Sequence, residues 1–131
     1  MTSITYLTAF NNLILKFNND LIETFPEEND FKIYKRGFEL LFKANAKKSC
    51  IFFKNYIINY REQIINKKET FFLENDYSDI VDTSQDGMED IVNKLKKYWG
   101  QLSENNKTKI WDYLIALIKS YICLKMLTLL L

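Results

Sequence analysis

Apolar side chains return every three or four positions along nearly the whole chain, which is the period of a helix with one buried face. Phe10, Leu13, Ile14, Phe17, Leu21 and Phe25 share one stripe and predict a helix that Pro26 closes. Asn29 or Asp30 is placed to cap a second helix, carried by Phe31, Tyr34, Phe38, Leu41 and Phe42 and ended by Asn45. Gly37 lies inside it and weakens it by roughly 1 kcal/mol relative to alanine. A third helix is expected without interruption from Ala46 to Asn66, burying Phe53, Tyr56, Ile57, Tyr60 and Ile64.

The period then breaks between Lys67 and Gly87. Phe71, Phe72 and Leu73 form a short apolar plug, and the polar run that begins at Asn75 predicts a mobile acidic loop over 75–87. A fourth helix is expected from Asp86, whose spacing to Glu89 suits a capping box, with Met88, Ile91, Val92, Leu95, Trp99 and Leu102 inward and Gly100 near its end. Ser103 can cap the last helix. There Ile110, Trp111, Leu114, Ile115, Leu117, Ile118, Tyr121, Ile122 and Leu124 occupy almost every side, leaving Asp112 and Lys119 as one wet edge. Such a rod belongs in the middle of a bundle. The expected fold is therefore all-α: a single domain over residues 1–131, about five helices, and a mostly buried C-terminal helix.

Composition supports this picture and narrows it. Among 131 residues there are one proline, three glycines and no histidine, while hydrophobic residues make up 47% and aromatics 15%, enough apolar area to offset chain entropy. The abundance of Phe, Tyr, Ile, Asn and Lys is the skew an AT-rich genome imposes, so aromatic richness carries no functional weight. Cys50 and Cys123 sit in helical patterns and read as small core hydrophobes in a reducing compartment. Met1 to Phe10 lacks a basic region and cleavage site of the secretory type, which predicts an intracellular setting.

Charge is sorted into blocks that the net value of +1 conceals. Ten basic side chains lie between Lys32 and Lys68 against Glu39 and Glu62, and eight acidic ones without a base lie between Glu69 and Asp90. Lys35, Arg36, Lys43, Lys47 and Lys48 are the candidate contacts to phosphates or to an acidic partner, with Tyr34, Tyr56 or Tyr60 available for stacking. The competing reading has the basic residues solvating two outer helix faces while the acidic segment folds back on them. The small net charge favours that reading over a free nucleic-acid binder.

Chemistry-bearing patterns are thin. Asp82, Ser84, Asp86 and Gly87 open like a calcium loop, yet Glu89 replaces the apolar anchor and Asn93 stands where the bidentate carboxylate belongs. The acids from Glu74 to Asp90 could hold magnesium beside a phosphate, but no phosphate-cradling glycine loop accompanies them. Without histidine the usual neutral-pH base is missing, so no catalytic residue, cofactor or metal is expected. The segment Tyr113 to Leu131 is apolar, but Lys119 and Lys125 argue against membrane insertion at about 2.5 to 3.5 kcal/mol each near a bilayer centre. Its final leucines still need cover, which makes Leu127, Leu130 and Leu131 candidates for self-association into a homo-oligomer.

Asp20-Leu21-Ile22, Phe25-Pro26, Lys43-Ala44-Asn45, the pair Tyr56 and Tyr60, and the Glu69 to Tyr77 stretch with Phe71-Phe72 together resemble small helical proteins of nucleocytoplasmic large DNA viruses, the algal and mimivirus-like giants. The resemblance spans Phe10 to Tyr77. It implies a compact helical viral protein of the host cell cytoplasm or the virion, and it transfers no site residues. The leading expectation is a non-enzymatic interaction or structural module working through protein-protein contacts with a viral or host protein. The alternative is a nucleic-acid-binding protein using the basic 32–68 helices, with the acidic 69–90 segment as internal competitor. A decoy of a helical host regulator rests on fold analogy alone.

Overall fold

Helices follow one another in the computed structural model, which describes residues 3–74 and 88–130 and the side chains of 5–74 and 92–126. They are α1 (Ser3–Thr24), α2 (Asp30–Ala44), α3 (Lys48–Phe52), α4 (Arg61–Ile65), α5 (Glu69–Glu74), α6 (Met88–Tyr98) and α7 (Glu104–Leu130). No strand occurs among the described residues, and the all-α bundle expected from the period is the fold observed. The expected loop over 75–87, the calcium-like residues within it and the Asp86 cap lie outside the described residues.

The stripe on α1 works as its spacing predicts. Phe10, Ile14, Phe17 and Leu21 are buried where α1 packs on α7 and its neighbours, with Phe17 stacked on Tyr113 at 4.9 Å and Phe10 edge-on to Phe53 at 5.4 Å, and each buried apolar side chain of this size contributes about 1.5 to 3 kcal/mol. Polar atoms on the same stripe add direction. Asn11 donates from Nδ2 to the Ala46 carbonyl at 2.9 Å and accepts from the Ser49 hydroxyl, while Asn18 donates to the Phe31 carbonyl at 2.8 Å. Seven residues apart, the two asparagines pin α1 to the α2–α3 turn and to the start of α2.

Neither expected cap of α2 operates. Asn29 occupies the cap position without a side-chain bond, and it is Glu28 that accepts from the Asp30 amide at 3.3 Å. That carboxylate also takes the Tyr98 hydroxyl and the Lys94 ammonium, and Lys94 reaches Asp30 at 2.9 Å, so the start of α2 is clasped to α6. Phe25 reinforces the clasp by stacking on Tyr98 at 4.8 Å. The Ser103 cap does form, accepting from the Asn106 amide at 3.1 Å.

The uninterrupted third helix is corrected by the structure. After α3 the backbone widens into a π turn over Phe53–Ile57, closed by the Ile58 amide donating to the Phe53 carbonyl, then tightens into a 3₁₀ turn over Ile58–Tyr60 before α4. One extra residue in the turn resets the face that follows. Phe52 and Phe53 are both buried, whereas Tyr56, Ile57, Tyr60 and Ile64 are only half-buried. Past α4 the Lys68 amide bonds the Gln63 carbonyl and the Lys67 amide bonds that of Ile64, a Schellman ending with Lys67 at φ 53° where glycine is usual.

The apolar plug is the short helix α5. Phe72 docks between Trp99 and Trp111, at 5.2 and 6.1 Å, while Leu73 faces outward. On α7 the residues Ile110, Trp111, Leu117, Ile118, Tyr121 and Leu124 are buried and Asp112 and Lys119 are exposed, as the wet edge requires. Burial on every side does not extend to its end: Ile122 and Met126 are 41% and 60% exposed, because α7 is apolar on more faces than α1 and α4 cover. Cys123 is likewise exposed rather than a core residue, since Tyr121 and Leu124 turn inward and leave it on the far side. Cys50 is half-buried, and burial pushes its thiol pKa up.

Candidate interaction surface

A second apolar stripe runs along α2 on the side turned away from the core. Phe31 and Phe38 face inward, but Ile33 and Leu40 are 64% and 63% exposed. Ile33, Gly37, Leu40 and Ala44 succeed one another by four, three and four, the spacing at which one helix presents a seam to another. Arg36 and Lys43 immediately precede Gly37 and Ala44, in the positions that flank such a seam, and Lys32 continues the same edge. All three are exposed.

Nothing among the described residues requires glycine at position 37. A Cβ built there would meet nothing within 4 Å, and its φ is not in the left-handed region, so neither packing nor backbone demands glycine. A helix interior gives up about 1 kcal/mol for it. Its missing side chain leaves the helix backbone accessible at mid-stripe.

Of the five basic residues singled out by sequence, Arg36 and Lys43 lie on this edge, Lys35 sits about 100° round the helix from Arg36, and Lys47 and Lys48 follow at the turn into α3. All five are exposed. The tyrosines named for stacking are engaged elsewhere: Tyr34 meets Phe31, Tyr56 meets Phe52 and Tyr60 meets Phe71, at ring distances of 5.9, 5.0 and 5.8 Å. Base stacking would have to displace those contacts. The signal for the seam was present in the chain, because Ile33 and Leu40 fall off the α2 core stripe.

Two half-open apolar pockets lie beside the π turn. An apolar cavity of about 100 Å³ lies among Ile14, Phe17, Phe38, Phe52, Phe53 and Leu117, with Asn18 and Ser49 as its polar margin. A second of about 70 Å³ lies beside it among Tyr60, Gln63, Ile64, Phe71 and Trp111. Ile57, Val92, Leu95 and Leu114 line both. The Oδ1 atom of Asn18 and the Oε1 atom of Gln63 are buried without a hydrogen-bond partner.

The side chains of Leu127, Leu130 and Leu131, the candidate self-association residues, lie outside the described ones. Among the described residues no group of three or more His, Cys, Asp or Glu could hold a metal ion, and no helix is long and apolar enough to cross a membrane. Comparison with protein-family models, curated proteins and solved structures finds no match to the chain.

Proposed function

We propose that the chain is a non-enzymatic interaction module that docks an amphipathic helix of a partner protein along α2, as a giant-virus protein of the host cell cytoplasm or virion would. The observation that supports it is the doubly striped α2: Ile33 and Leu40 stand nearly two-thirds exposed on a seam already flanked by Arg36 and Lys43. Exposed apolar side chains rimmed by charge favour a protein partner over a bare phosphate chain, because a phosphodiester offers Leu40 nothing to bury against. The basic edge sets the partner's character: acidic residues beside its apolar stripe.

Fluorescence anisotropy tests this with two labelled helical peptides, sharing a leucine seam and flanked by glutamate or by lysine, and with a short single strand and duplex of DNA. The glutamate peptide binds best, weakens with salt, and loses at least about tenfold in affinity to Leu40→Glu, a change at a side chain the fold does not bury. Oligonucleotide binding that outlasts Leu40→Glu and collapses with Arg36→Ala and Lys43→Ala would instead establish the nucleic-acid reading. Met126, 60% exposed at the approach to the final leucines, supports self-association at the other end of the molecule. Light scattering on the chain truncated after Leu124 tests that separately, an oligomer becoming a monomer.

A further inference from the structure

Helix α5 is six residues long, well under the roughly 12 to 15 at which a helix stands alone in water. It is helical because it is docked, and the docking is shallow. None of its residues is fully buried, Thr70, Leu73 and Glu74 face outward, and its ring and ion-pair contacts to the described residues come from Glu69, Phe71 and Phe72. It joins α4 through Lys67, which is held in the left-handed region that disfavours a side chain. The seat beneath it is the opposite. Trp99 and Trp111 are buried and meet edge to face at 5.5 Å, Phe72 lies against both, and the Lys107 ammonium sits 5.7 Å over the Trp99 ring and 3.3 Å from Glu69. These groups come from α7 and from the turn after α6. A firm receptor with a shallow occupant puts α5 among the segments that open first, short of global unfolding.

We propose that α5 is an internal strap over a docking site, and that the site takes in its place a partner helix carrying a carboxylate and, three residues on, an aromatic ring. The occupant already seated there identifies the chemistry. Glu69 and Phe72 lie three apart and project from one face, the ring against both indoles and the carboxylate to Lys107. Lys107 makes the acid part of the recognition. Its side chain is only 15% exposed and its other partner, Glu104 at 3.5 Å, is 91% exposed, so an occupant without a carboxylate would leave a largely covered charge to a group standing in water. While α5 is seated it competes with the partner, whose apparent affinity falls with the fraction of molecules in which the strap is open. The site is separate from the α2 seam and depends on no part of that reading.

The probe is a labelled peptide copying residues 67–76, stapled across the exposed positions 70 and 74 and read by fluorescence anisotropy against the full-length protein. Phe72→Ala in the protein empties the seat and should bind the peptide at least about tenfold more tightly than the unaltered chain. Phe72→Ala in the peptide should abolish binding, and Glu69→Gln in the peptide should weaken it about fivefold. Leu40→Glu in the protein should change nothing. Should the Phe72→Ala protein not fold, hydrogen exchange on the unaltered chain decides: the amides of Phe72, Leu73 and Glu74 should exchange through an opening that leaves α7 protected, and saturating peptide should speed them. Exchange of those amides only together with α7, exchange indifferent to the peptide, no gain in affinity for a folded Phe72→Ala protein, or binding indifferent to the peptide's ring overturns the proposal. Loss of binding with Leu40→Glu overturns it as well, by placing the acidic peptide on α2.

Discussion

Helices α2 and α7 are both apolar on more than one face, and the bundle covers much more of the surplus on α7 than on α2. On α7 the surplus meets α1 and α4 as far as Tyr121, so that Ile118 is 1% exposed and Tyr121 5%, and uncovered apolar residues, Ile122 and Met126, begin just past it. On α2 it points outward, and Ile33 and Leu40 remain uncovered. The difference shows that apolar content alone does not locate a core. What separates the two is company: the α7 surplus is continuous and bulky, whereas the α2 surplus is a narrow seam with a glycine at mid-length and basic residues along one edge. A face of that kind is costly to leave in water unless something meets it.

The largest test of the contrast makes one kind of change on both helices. Ile118→Ala removes a side chain packed on all sides and should cost about 3 to 4 kcal/mol in urea unfolding. Leu40→Ala should stay within about 0.5 kcal/mol, because the leucine is already in water. Comparable losses at the two positions would mean that the outer seam of α2 is covered within the molecule, and the docking proposal would lose its basis.

Next in size are the asparagines that hold α2 and α3 against α1. Asn11→Ala leaves the Ala46 carbonyl and the Ser49 hydroxyl without their partners and should cost about 2 kcal/mol. Hydrogen exchange should show the loss concentrated in α3 and the π turn, with α7 retaining its protection. Uniform loss along the chain would make the two sides of the bundle one cooperative unit.

How much of this was readable in the chain depends on whether the controlling contact is local. The α1 stripe, the Pro26 stop and the Ser103 cap are set by neighbours in sequence, and all appear where the spacing puts them. The π turn is not local. Both sides of it keep a helical period, so a single inserted residue leaves no mark in the spacing of the sequence. Glu28 displaces Asn29 as the cap for a similar reason, since its position is fixed by Tyr98 and Lys94 from α6. Asn11 and Asn18 could have been noticed as polar residues at apolar positions of the α1 stripe, and Ile33 with Leu40 as apolar residues off the α2 stripe. Exposure of Ile122 and Cys123 could not, because the sequence of α7 carries no record of where its neighbours end.

Two glycine exchanges sharpen the comparison at about 1 kcal/mol each. Gly37→Ala should raise stability by roughly that amount, because the added methyl meets open space and the helix gains propensity. The same change should weaken the glutamate-flanked peptide, so stability and binding move in opposite directions, which a merely structural glycine would not produce. Lys67→Gly should also stabilise by about 1 kcal/mol by relieving a left-handed residue, and it should leave peptide binding unaltered. A rise in stability with unchanged binding for Gly37→Ala would remove the glycine from the docking seam.

The smallest effects separate the two regions by pH. Glu28, which anchors α2, has its pKa lowered chiefly by the Tyr98 hydroxyl and then by the Asp30 amide, so the folded chain prefers the carboxylate. The unfolded chain takes up that proton first as pH falls, and the clasp's contribution, complete above the ordinary glutamate range, is lost on descending through it. Tyr113, which joins α7 to α1, behaves in the other sense: burial first and its bond to Asp20 second push its pKa up to about 12. Its contribution is complete below the free phenol value near 10 and is lost as pH rises from there. Urea midpoints for Glu28→Gln should therefore approach those of the unaltered chain between about pH 5 and pH 3, and those for Tyr113→Phe should approach it above about pH 10. If the Glu28→Gln gap stays constant down to pH 3, the clasp at the head of α2 is not held by charge, and α2 is fixed by its inner face of Phe31 and Phe38 and by Asn18.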